Sequence, residues 1–287
     1  MPQRLAANAY GKAAVRLVKV DRGERSHALH DLTVEVQLQG EFGPAHTTGD
    51  NTQVLPTDTM KNTVYALARQ GPVDPAEEFG KRLARHFLDA CTAAHRAVLT
   101  LAVHRWDRAV VDGDPHPHAF ARGPEERRLA TVTVDETGVA VEAGLEGLGL
   151  LKTSGSGFTG FLRDGYTTLK DAHDRILATD VEAHWRYAGP VEDYTAAWND
   201  VRTSLIETFA RHQSASVQHT LYAMGEAALA RRGEIGEIRL VLPNRHHLLV
   251  DLAPFGLDNP NEIFVATREP YGRIEAVIVR ESPSPWA

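Results

Sequence analysis

The sequence predicts an α+β protein built from two similar modules, and three observations carry that prediction. Residues 31–40, "DLTVEVQLQG", alternate Leu32, Val34, Val36 and Leu38 with Thr33, Glu35, Gln37 and Gln39, the period of a strand buried on one face. Phe79, Leu83, Phe87, Ala90 and Ala94 instead recur at helical spacing. An order of hairpin, helices and hairpin then occurs twice, which implies two modules of about 140 residues each. Each is expected to be an antiparallel sheet with helices on one face. The join is expected between 135 and 150, giving modules 1–138 and 139–287.

Taken in order, "AAVRLVKV" (13–20) and the 31–40 strand form a hairpin across the polar "DRGERSHALH". A helix follows, with Asp74 as its expected N-cap and Pro75 in its first helical position. "AVLTLAVHRW" (97–106) returns to strand, and a second hairpin turns at Glu136–Gly138. In the second module "RILATDVEAHWRY" (175–187) is a strand. Trp198, Val201, Leu205 and Phe209 mark one helix, and Val217, Leu221, Met224 and Ala228 mark another. "GEIRLVLPNRHHLLVDL" and "NEIFVATR" to "GRIEAVIV" close the chain as strands.

Composition narrows the function classes. The chain is 43% hydrophobic and 24% charged, enough apolar content for a substantial core. A net charge of −7 without a Lys/Arg-rich block argues against nucleic acid as a partner, because phosphate binding needs a concentrated basic footprint. No apolar run reaches the roughly 18 residues of a membrane span. The N-terminus lacks a signal-peptide h-region, and the terminal "SPSPWA" carries no peroxisomal tripeptide. A single cysteine, Cys91, fits a reducing compartment. These readings together predict a cytoplasmic, bacterial protein. Fourteen histidines point to proton chemistry or metal binding without choosing between them.

Five stretches carry candidate chemistry. In "LPNRHHLLVD" (242–251), a continuous strand places Asn244 and His246 on one face and Arg245 and His247 on the other, so the two histidines point apart. A hydrogen-bonded core histidine and a catalytic relay both remain open there. "PHPH" (115–118) is expected as a loop whose His116 and His118 have a spacing that zinc or copper accepts. "NTQVLPTDTMKNT" (51–63) clusters Thr57, Asp58, Lys61 and Asn62 without a regular pattern and reads as a helix cap. "FTGFLRDGYTTLKDAHDRI" (158–176) sets Phe158, Phe161 and Tyr166 among Arg163 and Arg175. That suits a flat anion, although Arg175 can equally pair with Asp171 or Asp174. "SASVQ" (214–218) opens a helix with Val217 and Gln218 in the first turn, where free N–H groups favour an anion.

Together "YGK" (10–12), "TDTMKNT" (57–63), "HRW" (104–106), "GFLRDGYTTLKDAHDRILATDV" (160–181), "SASVQ" and "LPNRHH" resemble the urate oxidases, in order and spacing, over nearly the whole chain. The resemblance implies two tandem tunnelling-fold domains and a homotetramer with active sites at subunit interfaces. It implies oxidation of urate by molecular oxygen and water to 5-hydroxyisourate and hydrogen peroxide, with no metal or organic cofactor. Lys12 and Thr57 take the place of the catalytic dyad, with His246 as a proton relay. Arg175, Gln218 and the Val217 backbone match the groups that hold the substrate edge, and Phe158 the ring stacked on it. Asn244 and Thr57 match the cradle for O₂ or water. Lys12, Thr57 and Asp58 would come from a neighbouring subunit. Arg245 stands where many members have lysine, and Thr159 where fungal members have tryptophan.

An alternative is a His-ligated metalloenzyme of the same fold acting on a pterin or purine through His104, His116 and His118. A second is a catalytically inactive purine-binding protein.

Overall fold

The computed structural model describes residues 3–281, so the terminal "SPSPWA" (282–287), the stretch that bears on a peroxisomal signal, lies outside the described residues. The chain divides into two compact units, Met1–Gly144 and Leu145–Ala287.

In the first unit β1 (Tyr10–Arg22) and β2 (His27–Gly40) pair antiparallel, with Val15 opposite Val34 and Leu17 opposite Leu32. Two helices and a short turn follow: α1 (Gly43–Thr47), α2 (Thr57–Gln70) and α3 (Ala76–Ala90). β3 (Ala94–Val111) and β4 (Asp114–Asp135) complete an antiparallel order β1-β2-β3-β4. β5 (Gly138–Lys152) starts in this unit and ends in the next. The predicted alternation holds: Leu32, Val34, Val36 and Leu38 are buried, as are Leu99 and Leu101 of β3 and Val132 of β4. Phe79, Leu83 and Phe87 are buried on the α3 face, which packs on β3 and β4.

Both carboxylate oxygens of the fully buried Glu77 at the start of α3 accept from Arg128 Nη2, at 2.7 and 3.0 Å. Removing one partner of such a pair leaves an uncompensated charge in low dielectric. Glu77→Ala is therefore expected to destabilise the fold by about 3–5 kcal/mol. Thermal or urea unfolding checks this, and a loss under about 1 kcal/mol would place the pair among ordinary surface ion pairs.

Four local expectations change. The N-cap of α3 is Pro75 (φ −70°, ψ 150°), so Asp74 lies one residue further out, Ala90 is exposed and Ala94 belongs to β3. Proline's fixed φ suits the cap and the first helical position equally, and only ψ separates them. "TDTMKNT" is the first half of α2 itself, with Met60, Val64 and Ala68 buried at four-residue spacing. "PHPH" lies inside β4, because Asp112 and Gly113 (φ 53° and 90°) make a two-residue hairpin turn that pairs Val111 with Asp114.

The fourth change concerns "LPNRHH". β7 (Ile235–Asn244) stops at Asn244, and β8 (His247–Leu249) belongs to a separate two-stranded ladder with β9 (Phe264–Ala266). Arg245 N–H donates to the Ala178 carbonyl, whereas the His246 carbonyl accepts from Thr267 N and Oγ1. The period-two argument thus does not carry through residues 245–246, because the chain changes ladders there.

In the second unit β6 (Leu177–Tyr187), β7 and β10 (Gly272–Val279) are antiparallel neighbours in that order. Asp193 caps α4 (Tyr194–Arg211) by accepting the Thr195 and Ala196 amides at 2.9 Å. Trp198, Val201, Leu205 and Phe209 are buried on it, as are Val217, Leu221, Met224 and Ala228 on α5 (Val217–Arg231). Helix α5 lies on β7 and β10. Among the described residues, no helix is long and apolar enough to cross a membrane.

Candidate active site

The singled-out residues fall into two groups, one in each unit. In the first unit Lys12 follows Gly11, whose place is set by close approach: a Cβ there would lie 1.8 Å from the Val36 carbonyl oxygen. Immediately after Lys12 the β1–β2 register shifts, and Ala14 adopts φ 54°. Such a bulge re-aims side chains, and a non-glycine residue in the left-handed region stores about 1–3 kcal/mol of strain. Thr57 and Asp58 open α2, whose N-cap Pro56 supplies no side-chain bond. Asp58 accepts from Lys61 Nζ and from Asn62 Nδ2 at 3.1 Å. Its carboxyl is held below the usual range, chiefly by the Lys61 bond and charge and more weakly by the charge of Lys12. Lys61 is therefore an intrahelical partner of Asp58, and the Lys12 ammonium is felt at the α2 N-terminus.

In the second unit the 154–176 segment is clamped mainly by backbone. Phe158 and Ala172 exchange N–H···O bonds at 2.7 and 3.0 Å, Arg175 N–H donates to Ser156, and Gly157 N–H donates to Ser214. The Asp174 carboxylate gathers Ser154 Oγ and the Gly155 and Ser156 amides at 2.7–3.2 Å, which pull its pKa down. Ser214 in turn donates through Oγ to Ser216, the residue whose own Oγ caps α5 by accepting from His219 N–H. Arg175, Phe158 and the α5 start, with Val217 buried and Gln218 exposed, are thus tied into one assembly.

Within it the Arg175 guanidinium carbon sits 5.3 Å from the Phe158 ring centre. Burial pushes the guanidinium pKa down, and Nε is buried without a hydrogen-bond partner among the described residues. Neither surface pairing considered for it occurs: Asp174 caps the 154–156 backbone, and Asp171 takes Arg163 at 3.1 Å. Phe161 stacks on Phe158 (4.9 Å, 7° between planes), and the Arg163 guanidinium carbon lies 4.5 Å from the Phe161 ring centre. A desolvated, unpaired fork beside an aromatic ring can hold a flat anion by charge-assisted bonds and stacking.

Asn244, at the end of β7, lies opposite Gly272, and both Asn244 and His246 are half-buried. Arg245 donates to Asp180 at 2.8 Å and packs over Tyr271 (4.8 Å), so it braces the strand exit. Sequence reasoning missed that brace, as well as the role of Asp174, because their partners lie far away in sequence.

Two of the three metal ligands of the alternative reading, His104 and His116, are engaged otherwise. His104 Nε2 lies 2.7 Å from Arg16 Nη1 and 2.9 Å from Thr33 Oγ1, so it accepts from a cation that cannot accept in return. His116 Nδ1 accepts the His118 and Ala119 amides. Among the described residues no three His, Cys, Asp or Glu side chains group to hold a metal.

Fold and site together define an α+β protein of two tandem sheet-and-helix repeats in which Arg175 stands beside the Phe158 ring. A family model, Uricase, matches residues 8–133 and 141–275. A uricase of Arthrobacter globiformis is 49% identical over 277 residues, covering 96% of this chain and 90% of that protein. One from Aspergillus flavus is 40% identical, covering 95% and 96% respectively. The crystal structure of the Arthrobacter globiformis uricase superimposes with a TM-score of 0.93 at 47% identity, over 100% of this chain and 99% of that one. The chain belongs to the uricase family.

Proposed function

We propose that the chain oxidises urate with O₂ and water to 5-hydroxyisourate and hydrogen peroxide, through a site built from its own side chains. The observation that carries this reading is Arg175 beside Phe158, its buried Nε without a hydrogen-bond partner among the described residues and its segment joined by backbone bonds to Ser214, ahead of α5. Urate is a planar anion whose pyrimidinedione edge alternates carbonyl and N–H groups. Arg175 donates to that edge, Gln218 both donates and accepts, and the Val217 amide adds a donor at the positive end of the helix dipole. Phe158 stacks on the purine.

The electron-rich substrate supplies the reducing power once it loses a proton. Lys12 and Thr57 take that proton and His246 passes it on, while Asn244 and Thr57 hold O₂ or the attacking water. Two electrons and two protons go to O₂, which leaves as H₂O₂. Water adds its hydroxyl at C5 and releases the second proton. Asp58 steadies the Lys12 end. In this reading the enzyme is a homotetramer, and Lys12, Thr57 and Asp58 reach the cradle of a neighbouring subunit.

The test is direct: chelator-treated protein is mixed with urate, and loss of urate absorbance is followed alongside peroxide. Stoichiometric consumption is expected. No loss overturns the assignment, and turnover restored only by zinc or copper favours the metalloenzyme instead. His246→Ala is expected to lower kcat and to shift its pH profile, because the relay then runs through water. An unaltered profile dismisses the relay.

A further inference from the structure

Three ties hold α2 along β1. Lys19 Nζ donates to the Gly71 carbonyl at 2.8 Å beyond the C-terminal end of α2, and the Tyr65 hydroxyl donates to the Arg16 carbonyl at 3.3 Å midway. At the N-terminal end, where Thr57 and Asp58 sit, the tie is Tyr10: its hydroxyl accepts the Leu55 amide at 2.9 Å. Leu55 precedes Thr57 by two residues, and Tyr10 precedes Lys12 by two. The helix cannot fix its own entry, because Pro56 caps it without a side-chain bond.

The tyrosine itself is firmly seated. Its ring meets the buried Phe42 edge-on (centroids 4.7 Å apart, 82°). The buried Cys91 thiol, whose proximity helps to raise the tyrosine's pKa, donates to the Gln53 carbonyl. Tyr10 at Leu55 and Cys91 at Gln53 thus tie the approach to α2 at two points. We propose that Tyr10 is a positioning residue for the proton-transfer pair, setting where Thr57 Oγ1 stands relative to Lys12 Nζ by anchoring residues 53–55 to the start of β1. The inference rests on the assignment of Lys12 and Thr57 above. Tyr10 is not a proton carrier: burial, and then the neighbouring thiol, push its phenol up to about 12, so it stays protonated.

Tyr10→Phe removes only the hydroxyl. It is expected to lower kcat roughly tenfold, since small displacements of reacting groups are costly, with KM for urate within about twofold because Arg175, Phe158 and Gln218 lie on other elements. In a Lys12→Met background the same change is expected to have no further effect on kcat, as for residues acting through one step. A wild-type kcat in Tyr10→Phe, or an equal loss in both backgrounds, overturns the proposal. Should Tyr10→Phe not fold, Cys91→Ala tests the second tie on residues 53–55. A two- to threefold loss of kcat at constant KM is expected there, and no loss overturns the role. A fully active Lys12→Met removes the proton-transfer pair and Tyr10 with it. An inactive Lys12→Met beside an unaltered Tyr10→Phe removes Tyr10 alone.

Discussion

Lys12→Met is expected to lower kcat by about 10²–10⁴-fold, the range for losing a positioned general base. Methionine keeps the length and apolar body of the lysine stem while removing the amine. Gly11 against the Val36 carbonyl, and the bulge that follows, are untouched, so the strand course should persist. Substrate affinity should stay nearly constant, because the gripping groups lie on the 158–175 segment and on α5. Stopped-flow or steady-state loss of urate gives kcat, and anaerobic urate titration gives the Kd. A large rise in Kd at unchanged kcat would move Lys12 from proton transfer to binding.

Arg175→Ala acts on the other half of the reaction. Each charge-assisted bond lost is worth roughly 1.5–3 kcal/mol. Loss of the fork should therefore cut kcat/KM by at least about a hundredfold, mainly through KM. The protein itself should not lose stability. Arg175 is half-buried with Nε unpartnered, so alanine removes a desolvated charge and forfeits only a weak contact with Phe158. Lysine at this position should recover part of the loss, since a point charge replaces a planar fork. An unchanged KM, or a fall in Tm matching the loss of activity, removes Arg175 from the binding role.

How far the sequence could be read depended on the range of the interactions involved. The β2 alternation, the faces of α4 and α5 and the α+β class all express one-dimensional periodicity, so they were legible. The α3 start was misplaced by one residue because a proline's φ is the same in both candidate positions. "PHPH" was misjudged because proline density outweighed the Asp112–Gly113 turn, whose positive φ values demand a hairpin. The strand through His246 was misjudged because nothing local marks where a backbone leaves one ladder for another.

The same division applies to the site. Motif order alone identified Arg175, Gln218, Lys12, Thr57, Asn244 and His246 as candidates, since residue type and spacing are written in the chain. Which arginine of the 158–176 segment stands unpaired among the described residues was decided by folding: Asp171 captures Arg163, Asp174 captures the backbone, and Arg175 is left against Phe158. So too with Tyr10, whose partner amide is 45 residues away. Periodicity and motif are local properties and survive in one dimension. Burial and the competition among partners for each charge exist only once distant segments meet.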